Sequence, residues 1–267
     1  MPLFIVATPI GNLSDLSPRA RTVLSQADFV AAEDTRVTRK LFSALGISAP
    51  KLLRYSSHTE ANSAEGIVKL LEEGNRVVLV TDAGTPCVSD PGEILVRRCH
   101  ESGIEMEVVP GPSAVAAALS ASGLPGTPHH FLGFPPRKPG PLRKWLTERG
   151  AFPGSLVVYE SPQRSVAFAR AVAEVLPGRK ICMCREISKI HEELLLLTVD
   201  EMAENLEKRD RIRGEVVFLI GPGDAPVQPD EGPVGSRLKD IATALANRWG
   251  CSKKEAYEAL LALETQR

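Results

Sequence analysis

The 267-residue chain has little of what usually announces a chemistry from sequence. Its five cysteines, at 87, 99, 182, 184 and 251, form no CxxC pair, and no histidine stands at metal-ligand spacing. That argues against a zinc site and for reduced, mostly buried thiols in a reducing compartment, with no metal expected. Net charge is almost absent: 32 Lys+Arg stand against 33 Asp+Glu. The whole-chain field therefore does not mark a nucleic-acid binder, although local patches can. No apolar run approaches the roughly 20 residues that span a bilayer. The N-terminal MPLFIVATPIG lacks the basic region and the length of a signal peptide. A soluble cytoplasmic protein with no membrane partner is expected. There is no glycine period, which excludes a fibre, and 43% hydrophobic with 24% charged residues excludes a disordered chain. There is no GxxxxGK[ST] loop, no GxGxxG after a strand, no HExxH and no serine-nucleophile elbow. An ordinary P-loop NTPase and the usual Rossmann fingerprint are unsupported.

What is present is a βα alternation. Apolar runs at Leu3–Ala7 and Phe29–Ala32, a β-branched run at Arg76–Thr81 fit for a buried parallel strand, and Glu105–Val109 read as strands. Between them lie helix signals. Ser17-Pro18 opens a helix to about Gln26, Val37–Leu45 closes at Gly46, Asn62 with Glu65 suggests a capping box for a helix ending at Gly74, and Gly92–Glu101 follows. This predicts a parallel α/β domain over 1–111. After a helix at Ser113–Ala121, strands near His130–Phe134, Ser155–Tyr159, Lys180–Arg185, Glu193–Thr198 and Glu215–Ile220 are only partly separated by helices. A second α/β domain with a mixed sheet is predicted over 112–222. A Pro/Gly-rich linker at 223–235 and a helical tail at 236–267 complete the chain, the tail formed by Arg237–Arg248 and Ser252–Thr265 with a Ser252/Glu255 capping box.

Three glycine-proline turns follow strands: Thr8–Leu13, Thr81–Pro86 continued by Ser89–Gly92, and Pro110–Ala114. In open α/β sheets ligands sit at the carboxyl ends of strands, and small residues there let a backbone approach a ligand closely. A single such turn only shapes the chain; three at one edge suggest a site. Charged runs also begin where apolar strands end, at Glu33–Arg36, Glu160–Arg164 and Arg185–Glu193. A solvated face is the plain alternative for each. Cys182 and Cys184 fall on one strand face, and His58, His100, His129 and His130 read as structural or surface residues.

In order, TPIGNLSDLSPRA, AAEDTRVTRKLF, VVLVTDAGTPCVSDPG, VPGPSAVAAALSASGLP, FLGFPP, YESPQR, REISKIHEE and RGEVV resemble the RsmI family. This is the small-subunit ribosomal RNA 2'-O-methyltransferase I group of the tetrapyrrole methylase superfamily. The resemblance covers about residues 3 to 221, and SKKEAY is similar to the family's helical tail. It implies two α/β domains of the tetrapyrrole methylase type with S-adenosylmethionine in the cleft between them, in a homodimer. The implied substrate is the ribose 2'-hydroxyl of a decoding-region cytidine in helix 44 of 16S rRNA, met within the small ribosomal subunit. The implied cofactor residues are Pro9, Asp82, Ala83, Gly84, Thr85, Pro86, Ser113 and Ala114, with Glu160 and Gly214 closing the cleft. Gln163 stands where the family commonly has histidine, and Pro135 where leucine is common.

Methyl transfer from a sulfonium is an in-line displacement governed by alignment and poor solvation of the donor's charge. A ribose hydroxyl is a weak nucleophile that gains from a base or from a charge beside the developing alkoxide. Lys189, Glu186 and Asp34, at charged strand ends, are the candidates. Lysine serves as a base only if burial depresses its pKa, and otherwise as a fixed cation. Arg36, Arg39 and Lys40, then Arg137 and Lys138 leading into Arg143, Lys144 and Arg149, and Lys253 and Lys254 in the tail are candidate phosphate contacts. A small-molecule methyltransferase acting on a tetrapyrrole precursor, and a non-catalytic RNA-binding module, are the alternative readings.

Overall fold

The computed structural model describes residues 1–56, 60–223, 242–243, 245–246 and 252–264. Met1–Gly223 form one compact unit and Asp224–Arg267 a second. In the first half of the larger unit, β1 (Leu3–Val6), β2 (Phe29–Ala32), β3 (Lys51–Arg54), β4 (Val77–Val80) and β5 (Met106–Val109) pair in parallel, in the order β3-β2-β4-β1-β5. Local chemistry sets the helices between them. Ser17 caps α1 (Pro18–Ser25) by accepting from the Ala20 amide, with Pro18 preset for the first turn. Asp34 caps α2 (Thr35–Leu45), and Gly46 ends it in the left-handed conformation. The helix thus starts two residues before the expected Val37, because the Asp34 cap outranks apolar periodicity. α3 (Glu60–Glu72) starts earlier too, so Asn62 lies in its first turn and not at its cap. α4 spans Glu93–Glu101.

The two faces of β4 explain the layering. Val78 and Val80 pack with Ala20, Val23 and Leu24 of α1 and Phe42 of α2. Val77 and Leu79 point the other way, against Ile67 and Leu71 of α3 and Leu95 and Cys99 of α4. Both faces are covered, as a parallel sheet requires. β1 leads into α1 on one face, whereas its neighbour β4 leads into α4 on the opposite face. Adjacent strands whose chains depart to opposite sides leave a crevice at their carboxyl ends.

The second sheet runs β6-β7-β10-β8-β9, from β6 (His129–Phe131), β7 (Ser155–Glu160), β8 (Lys180–Arg185), β9 (Glu193–Thr198) and β10 (Val216–Ile220). β6 and β7 are parallel and the remaining pairs antiparallel, the mixed sheet that the sequence predicts. One face carries α6 (Pro139–Gly150), α7 (Ser165–Val175) and α8 (Val199–Glu207), with Phe168 and Phe218 5.2 Å apart at its centre. Each such buried side chain contributes about 1.5–3 kcal/mol. The other face holds Val157, Cys182, Cys184, Val217 and Leu219 against Val115 and Ala118 of α5 (Ala114–Ala121). Strand β3 and helices α6 and α8 have no counterpart in the sequence reading. The short, half-exposed KLLR of β3 carries no alternation strong enough to announce it.

In the smaller unit the helix Lys253–Glu264 begins at the expected capping box. The Ser252 amide donates to Glu255 Oε2 at 2.8 Å and the Glu255 amide to Ser252 Oγ at 3.3 Å. Ala242, Ala246 and Ala256 form its small core. Of the expected helix Arg237–Arg248, only Ala242, Thr243, Leu245 and Ala246 are described, and they are helical; the rest of it, His58 and nearly all of the linker lie outside the described residues. No helix among the described residues is long and apolar enough to cross a membrane.

Candidate active site

The glycine-proline turns meet at one edge and are tied to one another. The Thr8 amide donates to the Gly84 carbonyl at 2.9 Å, and the Gly84 amide returns the bond to Thr8 at 3.1 Å. Thr8 Oγ1 donates to the Thr81 carbonyl, and Thr85 Oγ1 to the Pro112 carbonyl, both at 3.1 Å. The three turns therefore form one rigid rim at the β1/β4 crevice. Against it stand the ends of β7 and β10 and the loop after β8.

Between rim and second sheet lies a cavity of about 410 Å³, within the roughly 300–1,000 Å³ of typical small-molecule sites. The first sheet's loops contribute Ile10, Asp82, Ala83, Ser89, Asp90 and Ala114. The second sheet contributes Phe134, Tyr159, Glu160, Ser161, Pro162, Cys184, Ile187 and Gly214 through Val217. Of the residues expected from sequence, Asp82, Ala83, Ala114, Glu160 and Gly214 line this cavity. Gly84, Thr85 and Ser113 line a small recess sharing Ala83, Asp90, Ala114 and Tyr159 with it. Pro9 and Pro86 line neither and shape the turns. Sequence reasoning passed over Tyr159, Cys184 and Val217, which neighbouring strands place on one face: Val217 pairs with both Tyr159 and Cys184. Alternation hints at a shared face, but only the pairing says that it borders a cavity.

The lining is acidic and tense. Burial raises Asp90 and Asp82 above the ordinary aspartate range, opposed by hydrogen bonds from Thr81 and from the Asp34 amide. Burial and the charges of Asp82 and Asp90 raise Glu33 likewise. Glu160 is raised by burial against the pull of the Ser161 amide at 2.7 Å and of Arg164. Its side chain is 0% exposed, and although Arg164 Nη2 lies 3.1 Å from Oε2, that oxygen accepts no hydrogen bond. Burial pushes the Tyr159 hydroxyl up to about 12. Cys87 and Ser89 at one side, Glu186 and Ser188 at the other, all hold positive φ. Such backbone strain gathers at functional sites.

Lys189 and Glu186 do not line the cavity; they hold its wall. Lys189 Nζ donates to Glu186 Oε1 at 2.8 Å and to Glu215 Oε2 at 2.9 Å, and Glu186 Oε1 also accepts the Glu215 amide at 2.8 Å. The lysine stem crosses Gly11, where a Cβ would overlap it, and the Glu186 carboxyl rests on Gly214. Ser188 Oγ donates to Asp15, closing the loop onto the first sheet's side. Burial alone would lower Lys189, but its two carboxylate partners outweigh that and the net shift is upward. Glu186 is pulled the other way: burial opposes ionisation, yet Lys189 and the Glu215 amide leave it below the ordinary range. Asp34 is held well below the usual carboxylate range by the Arg36 side chain, Nη2 to Oδ2 2.6 Å, and by the Arg36 amide.

Arg36, Arg39, Lys40, Arg137 and Lys138 are exposed, and Lys138 precedes α6. Arg143 is paired with Glu174 at 2.8 Å and Lys144 with Glu148 at 4.0 Å, so the basic run is partly neutralised. Lys253 and Lys254 are exposed in the smaller unit. Cys99, Cys182 and Cys184 are buried free thiols and Cys87 an exposed one. Among the described residues no group of His, Cys, Asp and Glu is arranged to hold a metal ion.

The profile of the Tetrapyrrole (Corrin/Porphyrin) Methylases matches residues 2–203. The chain is 45% identical over 223 residues to the Ribosomal RNA small subunit methyltransferase I of Neisseria meningitidis serogroup B, covering 82% of this chain and 76% of that one. It is 38% identical over 273 residues to the protein of the same name from Mesorhizobium japonicum, covering 98% and 92%. Among solved structures, the methyltransferase CobJ superposes with a TM-score of 0.61 at 20% identity, over 83% of this chain and 94% of that one. Uroporphyrin-III C-methyl transferase from Thermus thermophilus complexed with S-adenosyl homocysteine superposes at 0.56 and 20% identity, over 83% and 97%. At such identity these last two likenesses speak for the fold. The profile match and the close relatives together show that the chain belongs to the tetrapyrrole methylase family, and within it to the ribosomal RNA small subunit methyltransferase I group.

Proposed function

We propose that this protein transfers a methyl group from S-adenosylmethionine to the ribose 2'-hydroxyl of a cytidine in the decoding region, helix 44, of 16S rRNA. That it is a methyltransferase of small-subunit ribosomal RNA follows from its group; the atom and nucleotide are the finer part of the proposal. The observation that carries the donor site is Glu160 Oε2, a buried acceptor without a hydrogen bond in the wall of the 410 Å³ cavity. Arg164, 3.1 Å away, compensates its charge but leaves that oxygen with acceptor capacity for a ligand donor. Asp82 and Asp90 add negative charge suited to a cationic donor. On the same rim, Ser113 makes no side-chain cap bond, which leaves the first amides of α5 open to an anionic group such as the donor's carboxylate. When bound, S-adenosylmethionine supplies a methyl group on a sulfonium for in-line displacement.

The chain's own residues then align and exclude water. The tied turns fix the rim, and the Lys189–Glu186–Glu215 latch holds the opposite wall. The upward shift of Lys189 supports a fixed cation over a base, and the low pKa of Asp34 supports a cap that holds Arg36. Arg39, Lys40, Arg137 and Lys138, with Lys253 and Lys254, supply phosphate contacts, whereas Arg36 is taken up by Asp34 at 2.6 Å. A nearly neutral protein with local basic groups fits a folded RNA recognised by shape, here the small ribosomal subunit, with a homodimer as the acting form. The test is transfer from labelled S-adenosylmethionine to small subunits and to naked 16S rRNA from cells lacking this protein, mapped at nucleotide resolution. One ribose-methylated cytidine on subunits is expected. Transfer to neither RNA, with the donor bound, would overturn the reading in favour of a small-molecule acceptor.

A further inference from the structure

A second cavity, of about 610 Å³, lies at the carboxyl ends of β2, β3 and β4 beside the donor site. Every described residue lining it is polar or charged, including Glu33, Asp34, Arg36, Arg54, Ser56 and Asp82. Asp82 is the residue that it shares with the first cavity. We propose that this second cavity receives the acceptor nucleotide, with Arg54 on its phosphate and Asp82, on the shared wall, taking the proton of the ribose hydroxyl.

Given the ribose-methylation reading above, on which this assignment rests, the walls select the ligand by their chemistry. Three carboxylates against two guanidiniums disfavour a polyanionic tetrapyrrole precursor, which would meet Glu33, Asp34 and Asp82 with its own acid groups. A nucleotide presents what this wall accepts. Its ribose hydroxyls and the exocyclic amine of cytosine are donors for carboxylates, and its one phosphate is an acceptor for a guanidinium. Arg36 is already engaged by Asp34 at 2.6 Å. Arg54, exposed at the end of β3, makes no ion pair among the described residues. Arg54 is therefore the cation left for the phosphate.

Asp82 is held for its part by its neighbour. The Asp34 amide donates to Asp82 Oδ1 at 3.1 Å, orienting the carboxylate and leaving Oδ2 without a hydrogen bond among the described residues. Burial and the Asp34 charge raise its proton affinity above that of a free aspartate, which suits a base. In the step, the hydroxyl oxygen forms the new C–O bond as the C–S bond breaks. The bonding pair returns to sulfur, leaving a neutral thioether, and the hydroxyl proton passes to Asp82 and on to water. Asp34 and Glu33 are positioning residues in this account.

The experiment measures binding of cytidine 5'-monophosphate to the full chain saturated with S-adenosylhomocysteine, alongside kcat and KM on small subunits and the donor Kd. Arg54→Ala is expected to weaken the nucleotide and raise KM about tenfold, the loss of one charge-assisted contact, with the donor Kd unchanged. Asp82→Asn is expected to keep nucleotide binding and lower kcat by about 10²–10⁴, the range of a general base. Glu33→Gln, a milder change in the same wall, is expected to raise KM without moving the donor Kd. Nucleotide binding and KM that ignore both Arg54→Ala and Glu33→Gln overturn the pocket while leaving the ribose-methylation reading intact, as does a wild-type protein that binds no nucleotide at millimolar concentration. Asp82→Asn with wild-type kcat overturns its role as base. Arg54-dependent nucleotide binding without ribose methylation instead removes the reaction reading and keeps the pocket.

Discussion

Gly214 holds φ at 87° with the Glu186 carboxyl lying where its Cβ would be. Gly214→Ala meets both a left-handed backbone and an overlap, and is expected to cost about 1–3 kcal/mol, read as a lower urea midpoint. An unchanged midpoint would show that the loop after β8 does not rest on this glycine. The neighbouring latch makes a sharper test of chemistry. Lys189→Arg preserves a permanent cation that cannot act as a base, so it is expected to retain most activity, whereas Lys189→Met loses it. Equal loss in both variants would return the lysine to candidacy as a base. Raised carboxylates carry a different signature. A carboxyl whose folded pKa lies above its unfolded value contributes stability at low pH that is lost as pH rises through the folded value. Asp90 is such a group, raised chiefly by burial. Asp90→Asn is accordingly expected to raise the urea midpoint at pH 7 while weakening donor binding, and a fall in midpoint would refute the sign.

At the scale of elements, β8 and β9 illustrate how an edge pair is pinned. Arg185 and Glu193 face each other in the register, 2.8 Å apart, and Arg209 adds a bond to Glu193 at 2.6 Å. Arg209 first, then Arg185, hold Glu193 at about 2 against the opposing effect of burial. Its folded pKa is depressed, so its stabilisation is present above about pH 4.5 and is lost as pH falls toward 2. Glu193→Gln is expected to remove on the order of 2 kcal/mol of acid-sensitive stability, allowing for solvent screening. A midpoint with the same acid limb in variant and parent would show that the ion pairs add nothing. These strands were legible in the sequence to the residue, because six apolar or alternating positions bounded by charge leave little freedom. β3 and α8 were not. Thr198 ends β9 and at once caps α8 through a reciprocal box with Glu201, so strand and helix meet with no punctuating glycine or proline between them.

For the whole molecule, a formal charge of -1 means that RNA affinity must come from where the cations lie. Arg137 and Lys138 are exposed and make no ion pair among the described residues. The double substitution to alanine is expected to flatten the salt dependence of subunit binding by about 2 in the log–log slope, about one per phosphate contact. An unchanged slope would place the phosphate path elsewhere.

What the sequence determined by itself was local and periodic: four of the five strands of the parallel first sheet, the mixed second sheet, the caps at Ser17, Gly46 and Ser252, and three turns of small residues that follow strands. Its motifs also carried the family, since ordered stretches of identical residues survive without coordinates. Tertiary structure decided which of those residues meet. Strand order put β1 beside β4 and so opened the crevice; sheet pairing put Tyr159, Cys184 and Val217 on its wall; and the packing of Lys189 over Gly11 set its ammonium between Glu186 and Glu215. Asp82 belongs to two cavities for the same reason. A shared wall is a property of loops brought together from distant strands, and no spacing along one chain encodes it.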